Sequence, residues 1–282
     1  MSISDNIMQI ETVIKNRETH VVINVANNSD LLQAAANAFS RMLYVTNLEI
    51  HSRCGSNLPF IRRLPPNLVE LRIRSWHFYR REPEYIFTKD FVFPPTLLKL
   101  NCSYTRVGIL PTQLPTNLKI LSLKCSSISE LPELPIGLTY LDLSYNKLRC
   151  LPDLPIGLVK CNVAGNNLTT LPELPNMLKF LIVRNNNLIK LPELPIHLRY
   201  LDASYNRIVS LPFLPIKLER LIVPHNKLVE LPSLPLKLRH LVIKNNNITR
   251  LPELPDKIQY LNVRWNKLAS KPDMNSKSEC LY

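Results

Sequence analysis

A repeat solenoid is the fold class this sequence predicts: a parallel β-sheet lines the concave side of an arc, and extended segments form its convex side. Two observations predict it. From Leu131 the phrase LPELPIGLTYLDLSYNKLRC restarts at Leu151, Leu171, Leu191, Leu211, Leu231 and Leu251, a step of 20 residues without a slip. Within each step, leucine-type residues recur at the places of Leu131, Leu134, Leu138, Leu141, Leu143 and Leu148. An asparagine recurs from Asn146 through Asn166, Asn186, Asn206, Asn226, Asn246 and Asn266. A fixed period of this length marks stacked units that bury one another's apolar faces, so no unit stands alone.

Along the chain, residues 1–43 do not repeat and read as an α/β N-terminal cap. Ile7, Ile10, Val13 and Ile14 fall at helical spacing, His20 to Val25 is strand-like, and Asp30 with Gln33 opens a second helix as a capping box. A cap is expected because an end coil otherwise exposes its core. Residues 44–109 form degenerate repeats, with strand cores at Leu48, Leu71 and Leu100. They carry an insertion at 74–93 rich in rings and arginine, including Trp76, Phe78, Tyr79, Arg80 and Arg81. Such an insertion serves either as a secondary binding loop or as packing for irregular coils. Residues 110–270 hold the regular repeats, and 271–282 read as a loose polar tail.

The repeated residues each have a reason. Alternation places Leu141 and Leu143 inward, with Tyr140, Asp142 and Ser144 on the concave face. Asn146 leaves the strand, where its amide can bond the backbone of its own and adjacent turns. The two prolines of LPxLP fix φ near about −65° and favour an extended return with no helix.

This L-x-x-L-x-L-x-x-N-x-L pattern is that of a leucine-rich repeat. Its LPxLP form resembles the short repeats of bacterial secreted effectors of the YopM and IpaH type, and repeats in proteins of some large DNA viruses. The resemblance is close over 110–270 and looser over 44–109. It implies an effector-like protein engaging a host signalling protein from inside the host cell. IpaH-type effectors carry a ligase domain after their repeats; the chain runs only about ten residues past its last coil, so ligase activity is not implied.

Chemistry-bearing motifs are missing: no Gly-rich phosphate loop, no H-E-x-x-H, no nucleophile elbow and no closely spaced Cys/His set. Neither enzyme activity nor a cofactor or metal is expected. Six scattered cysteines, with Cys102 and Cys161 at core positions, suit a reducing compartment. The first ten residues lack the pattern of a signal peptide and no apolar run is long enough to span a bilayer, so the expectation is an intracellular protein without a membrane partner.

What remains are surface columns that align across the coils. One contains Tyr140, Lys160, Phe180, Tyr200, Arg220, His240 and Tyr260. Farther along lie Arg184, Lys244 and Arg264, then Tyr205, His225 and Trp265. The acids Glu133, Asp153, Glu173, Glu193 and Glu253 fall between the prolines on the other side. Rings and cations on a curved sheet predict a surface for a protein partner of acidic or mixed character. Two alternatives stay open. A net charge of +13 permits a nucleic-acid-binding basic solenoid, although Asp142 and Asp202 sit among the bases. The other alternative is that the repeats form the substrate-recognition arm of a separate ligase or kinase complex.

Overall fold

The computed structural model describes residues 9–15, 18–25, 42–52, 63–75, 86–270 and 279–282. The chain divides into two compact units, Met1–Lys147 and Leu148–Tyr282. Among the described residues there is no helix.

The first unit contains β1 (Gln9–Lys15), β2 (Glu18–Val25), β3 (Val45–Ser52), β4 (Glu70–Ser75), β5 (Lys99–Asn101), β6 (Ile120–Ser122) and β7 (Tyr140–Asp142). β1 pairs antiparallel with β2, and from β2 to β7 each strand pairs in parallel with the next. The segment around Ile10 and Ile14 is therefore a strand, not the helix its spacing suggests. Ile10, Thr12, Val13 and Ile14 are β-branched, and stiff side chains of that kind favour a pleated backbone when a partner strand lies alongside. The helix expected from Asp30 lies outside the described residues, as do Trp76, Phe78, Tyr79, Arg80 and Arg81. Of the insertion's remainder, Phe87, Phe91 and Phe93 are buried with ring centroids 4.9 to 5.1 Å apart, so this part is packing.

The second unit contains β8 (Lys160–Asn162), β9 (Phe180–Ile182), β10 (Tyr200–Asp202), β11 (Arg220–Ile222), β12 (His240–Val242), β13 (Tyr260–Asn262) and β14 (Glu279–Leu281). From β8 to β14 each strand pairs in parallel with the next, in register. β14 corrects the expectation of a loose tail. Leu261 lies opposite Cys280, and the Val263 N–H donates to the Leu281 carbonyl at 2.8 Å. A strand edge with unsatisfied N–H and C=O groups recruits the last residues even where the repeat has lapsed.

Each coil buries one leucine cluster. Leu198, Leu201, Ala203 and Ile208 are fully enclosed, as are their counterparts Leu138, Leu141, Leu143 and Leu148. Leu131 and Leu134, read from sequence as core, are only half-buried, because the LPxLP segment is the outer rim with no layer over it. The asparagines form the expected ladder. Asn206 Oδ1 accepts from the Leu188 N–H at 3.0 Å, and Nδ2 donates to the carbonyls of Val183 at 3.0 Å and Ala203 at 3.1 Å. One side chain thus ties two coils where backbone groups have left the sheet. In the first unit Thr105 and Ser126 replace the asparagine. Their hydroxyls reach back to the carbonyls of Ile73 and Cys102, each at 2.8 Å.

Candidate functional site: the strand face

A three-residue strand such as Tyr140–Asp142 turns its middle residue into the core and its flanking residues out. The outer flank of the second unit therefore presents Lys160, Phe180, Tyr200, Arg220, His240 and Tyr260 side by side, in the register of the sheet. Phe180 and Tyr200 have centroids 6.5 Å apart, and His240 and Tyr260 6.4 Å apart. On the other flank, half-buried Ile182, Ile222 and Val242 interrupt the polar residues with apolar surface. In the first unit Tyr140 holds the same place on its own strand. It is half-buried, and its phenol pKa is raised by burial and then by Asp142.

Asp202 accepts from the Ser204 N–H at 3.1 Å and from its hydroxyl at 2.5 Å. Asp142 holds Ser144 likewise, at 3.0 and 2.7 Å. These carboxylates satisfy the serines at the strand exit, where Ser144 and Ser204 are buried. Alternation places Ser144 on the outer face instead, and Ala164 is buried in the same column. Arg184 and Arg264 remain exposed there, and Lys244 half-exposed.

The next column departs further from a simple reading. Tyr145, Tyr205, His225 and Trp265 have φ of 58°, 54°, 56° and 58°, in the left-handed region, with Gly165, Asn185 and Asn245 at the equivalent places. Bulky side chains pay strain there that glycine and asparagine largely avoid. Their signal in sequence was the mixture of Gly, Asn and large rings in one column. The rings are also held. Tyr205 and His225 stack at 4.2 Å with 9° between planes, Asn245 Nδ2 lies 2.7 Å from His225 Nδ1, and Lys244 Nζ sits 4.1 Å over the Trp265 ring. In the first unit Lys124 stands 5.1 Å from the Tyr104 ring centroid and 5.7 Å from that of Tyr145.

Electrostatically the face is cationic with neutral histidines. The His225 pKa is lowered by burial and then by Lys244; that of His240 is lowered by burial, then by Arg220 and Arg239. His240 Nδ1 is buried without a hydrogen-bond partner, a polar atom that a ligand group could satisfy. Among the described residues no group of His, Cys, Asp and Glu is arranged to hold a metal ion, and no helix is long and apolar enough to cross a membrane.

A Leucine Rich Repeat family model matches residues 137–158. Two solved structures extend that match along the chain. YopM from Yersinia enterocolitica is 34% identical with a TM-score of 0.69, over 84% of this chain and 54% of its own. YopM from Yersinia pestis, described as a leucine-rich effector protein, is 36% identical with a TM-score of 0.67, over 83% of this chain and 63% of its own. The chain is a leucine-rich repeat protein. Its short repeats resemble those of bacterial effectors, and it spans between half and two-thirds of the Yersinia proteins it matches. InlP of Listeria monocytogenes shares the fold alone, at 20% identity and a TM-score of 0.52 over 86% of this chain and 64% of its own. No curated protein sequence matches the chain. The family that matches is a repeat family and not a catalytic one.

Proposed function

We propose that this leucine-rich repeat protein is a non-catalytic scaffold whose strand face binds a protein partner of acidic or mixed surface. By its likeness to YopM, it acts as an effector on a signalling protein inside a host cell. The supporting observation is the pre-set column of Tyr205, His225 and Trp265, strained in backbone and fixed by stacking and by the Lys244 cation–π contact. Strained residues persist where the surroundings over-determine them, and rigid aromatic and arginine anchors lose little entropy on binding. Asp142 and Asp202, which counted against nucleic acid from sequence, are occupied in their own turns. Charge alone therefore does not decide between protein and nucleic acid, but the apolar Ile182, Ile222 and Val242 between the cations suit a protein surface.

The test is quantitative affinity capture from host-cell lysate with the wild type and a Tyr200→Ala, Arg220→Ala, Arg264→Ala variant. Loss of specific proteins in the variant supports the reading. An unchanged set overturns it, as does recovery of RNA whose binding falls steeply with salt.

A further inference from the structure

The LPxLP edge of the second unit carries apolar side chains that the core does not use. Each coil there ends in a tight turn, closed by Leu198 N–H to Pro195 O at 3.0 Å, and by Leu218 to Pro215 and Leu238 to Pro235, both at 2.9 Å. The two central residues of such a turn form its tip, and their side chains face water. At these tips stand Ile196, Ile216 and Leu236, 62%, 77% and 81% exposed. The next residue is His197, Lys217 or Lys237. Beside them Phe213 is 89% exposed.

The repeat supplies its own control. The tip residue is again apolar at Ile156 but polar at Asn176 and Asp256, and the place of Phe213 is Asp153, Glu173, Ser233 or Glu253 in other coils. The fold accepts polar residues at these places, so packing does not explain the apolar ones. Single exposed apolar residues need no explanation, but a contiguous row of them does.

We propose that this row of turns docks on an anionic membrane surface, with Phe213, Ile216 and Leu236 entering the interface and Lys217 and Lys237 meeting the lipid phosphates. Three features select a bilayer over a protein. The apolar residues are projecting tips, whereas a protein interface needs anchors matched to pockets. At two consecutive tips the apolar residue is followed by a lysine, the pairing of burial and charge that stable interfacial attachment requires. Around the tips the cations Arg199, Lys217, Lys237 and Arg239 outnumber the acids Glu193, Glu219 and Glu230; Glu219 is engaged by Arg199 at 3.5 Å, and Lys217 Nζ lies 2.9 Å from His197 Nδ1. The lack of a membrane-spanning run says nothing about attachment of this kind. The surface is separate from the strand face, so the proposal stands or falls independently of the binding function above.

The test is co-sedimentation of the full chain with phosphatidylcholine vesicles, with and without roughly one-third phosphatidylserine. Pelleting with the anionic vesicles only is expected. A Phe213→Glu, Ile216→Asn, Leu236→Asp variant, built from residues that sister coils carry, should lose about tenfold or more of that binding, and Lys217→Gln with Lys237→Gln should lower it similarly. Unchanged circular dichroism melts show that the fold is kept, and Phe213→Glu alone serves if the triple variant is unstable. An Arg220→Ala, Arg264→Ala variant should still pellet. Any of three results overturns the proposal: no pelleting of the wild type, pelleting untouched by the apolar variants, or light scattering that shows the ridge pairing two copies without vesicle binding.

Discussion

Replacing Asn206 by alanine tests the physics of the stack where it is most exposed to refutation. Asn206 Oδ1 is the acceptor of the Leu188 N–H at 3.0 Å, and its removal strands a buried donor at about 1–3 kcal/mol. Its Nδ2 bridges the carbonyls of Val183 and Ala203 at 3.0 and 3.1 Å, and these bonds contribute roughly 0.5–1.5 kcal/mol each. The sum predicts a loss of about 2–5 kcal/mol, allowing for water reaching part of the site. Serine at this place should recover part of it, since Ser126 reaches a neighbouring carbonyl with its hydroxyl. Equilibrium urea unfolding followed by circular dichroism measures the loss, and hydrogen exchange reads the Leu188 amide directly. The exposed turn residue Asn176 is the control, where alanine should cost no more than about 0.5 kcal/mol. If Asn206→Ala matches that control, the ladder does not hold the coils together.

Leu201→Ala removes a fully buried side chain and should destabilise by about 2–5 kcal/mol in the same assay, with Tyr200→Ala far milder. Trp265→Gly should leave stability within about 1 kcal/mol, because relief of the left-handed backbone offsets the lost Lys244 contact, yet weaken partner binding about tenfold or more. Equal loss of both would make Trp265 structural. His225 and His240 carry lowered pKa values, so both are neutral at pH 7 in the free protein. An acidic partner raises those values, so the complex takes up protons. Affinity for the captured partner should therefore rise as pH falls from the ordinary histidine value of about 6.5 toward the lowered ones. Titration calorimetry across that window checks it, and an affinity that is flat or falls on acidification contradicts an acidic contact at these rings.

The 20-residue step made the strands, their register and the asparagine ladder legible, because those positions answer to one constraint repeated in every coil. The ends were less legible. The stretch around Ile10 obeys a helical spacing but pairs with β2, and residues 279–281 add a strand that no repeat motif announces. Both depend on a neighbouring edge, which a single segment does not encode. In the candidate site the outward column from Tyr140 to Tyr260 followed from alternation alone. The burial of Ser144, Ala164 and Ser204 did not, since it depends on how the chain turns as it leaves the strand. The left-handed φ at Tyr205 and Trp265 shows in sequence only through Gly165, Asn185 and Asn245 at the equivalent places, because large rings are poor markers of that conformation. Exposure of the LPxLP edge depends on what covers it, and leucine and isoleucine look alike in sequence whether or not a layer lies above them.

Site-specific photocrosslinking separates the two faces in one experiment. A photoreactive phenylalanine analogue replaces Tyr205 on the strand face or Glu173 on the LPxLP edge, and the protein is illuminated inside cells that contain the partner. Crosslinks to a common protein from position 205, and none to it from 173, are the predicted result. Crosslinks to that protein from 173 but not from 205 would place recognition on the opposite face and contradict the account.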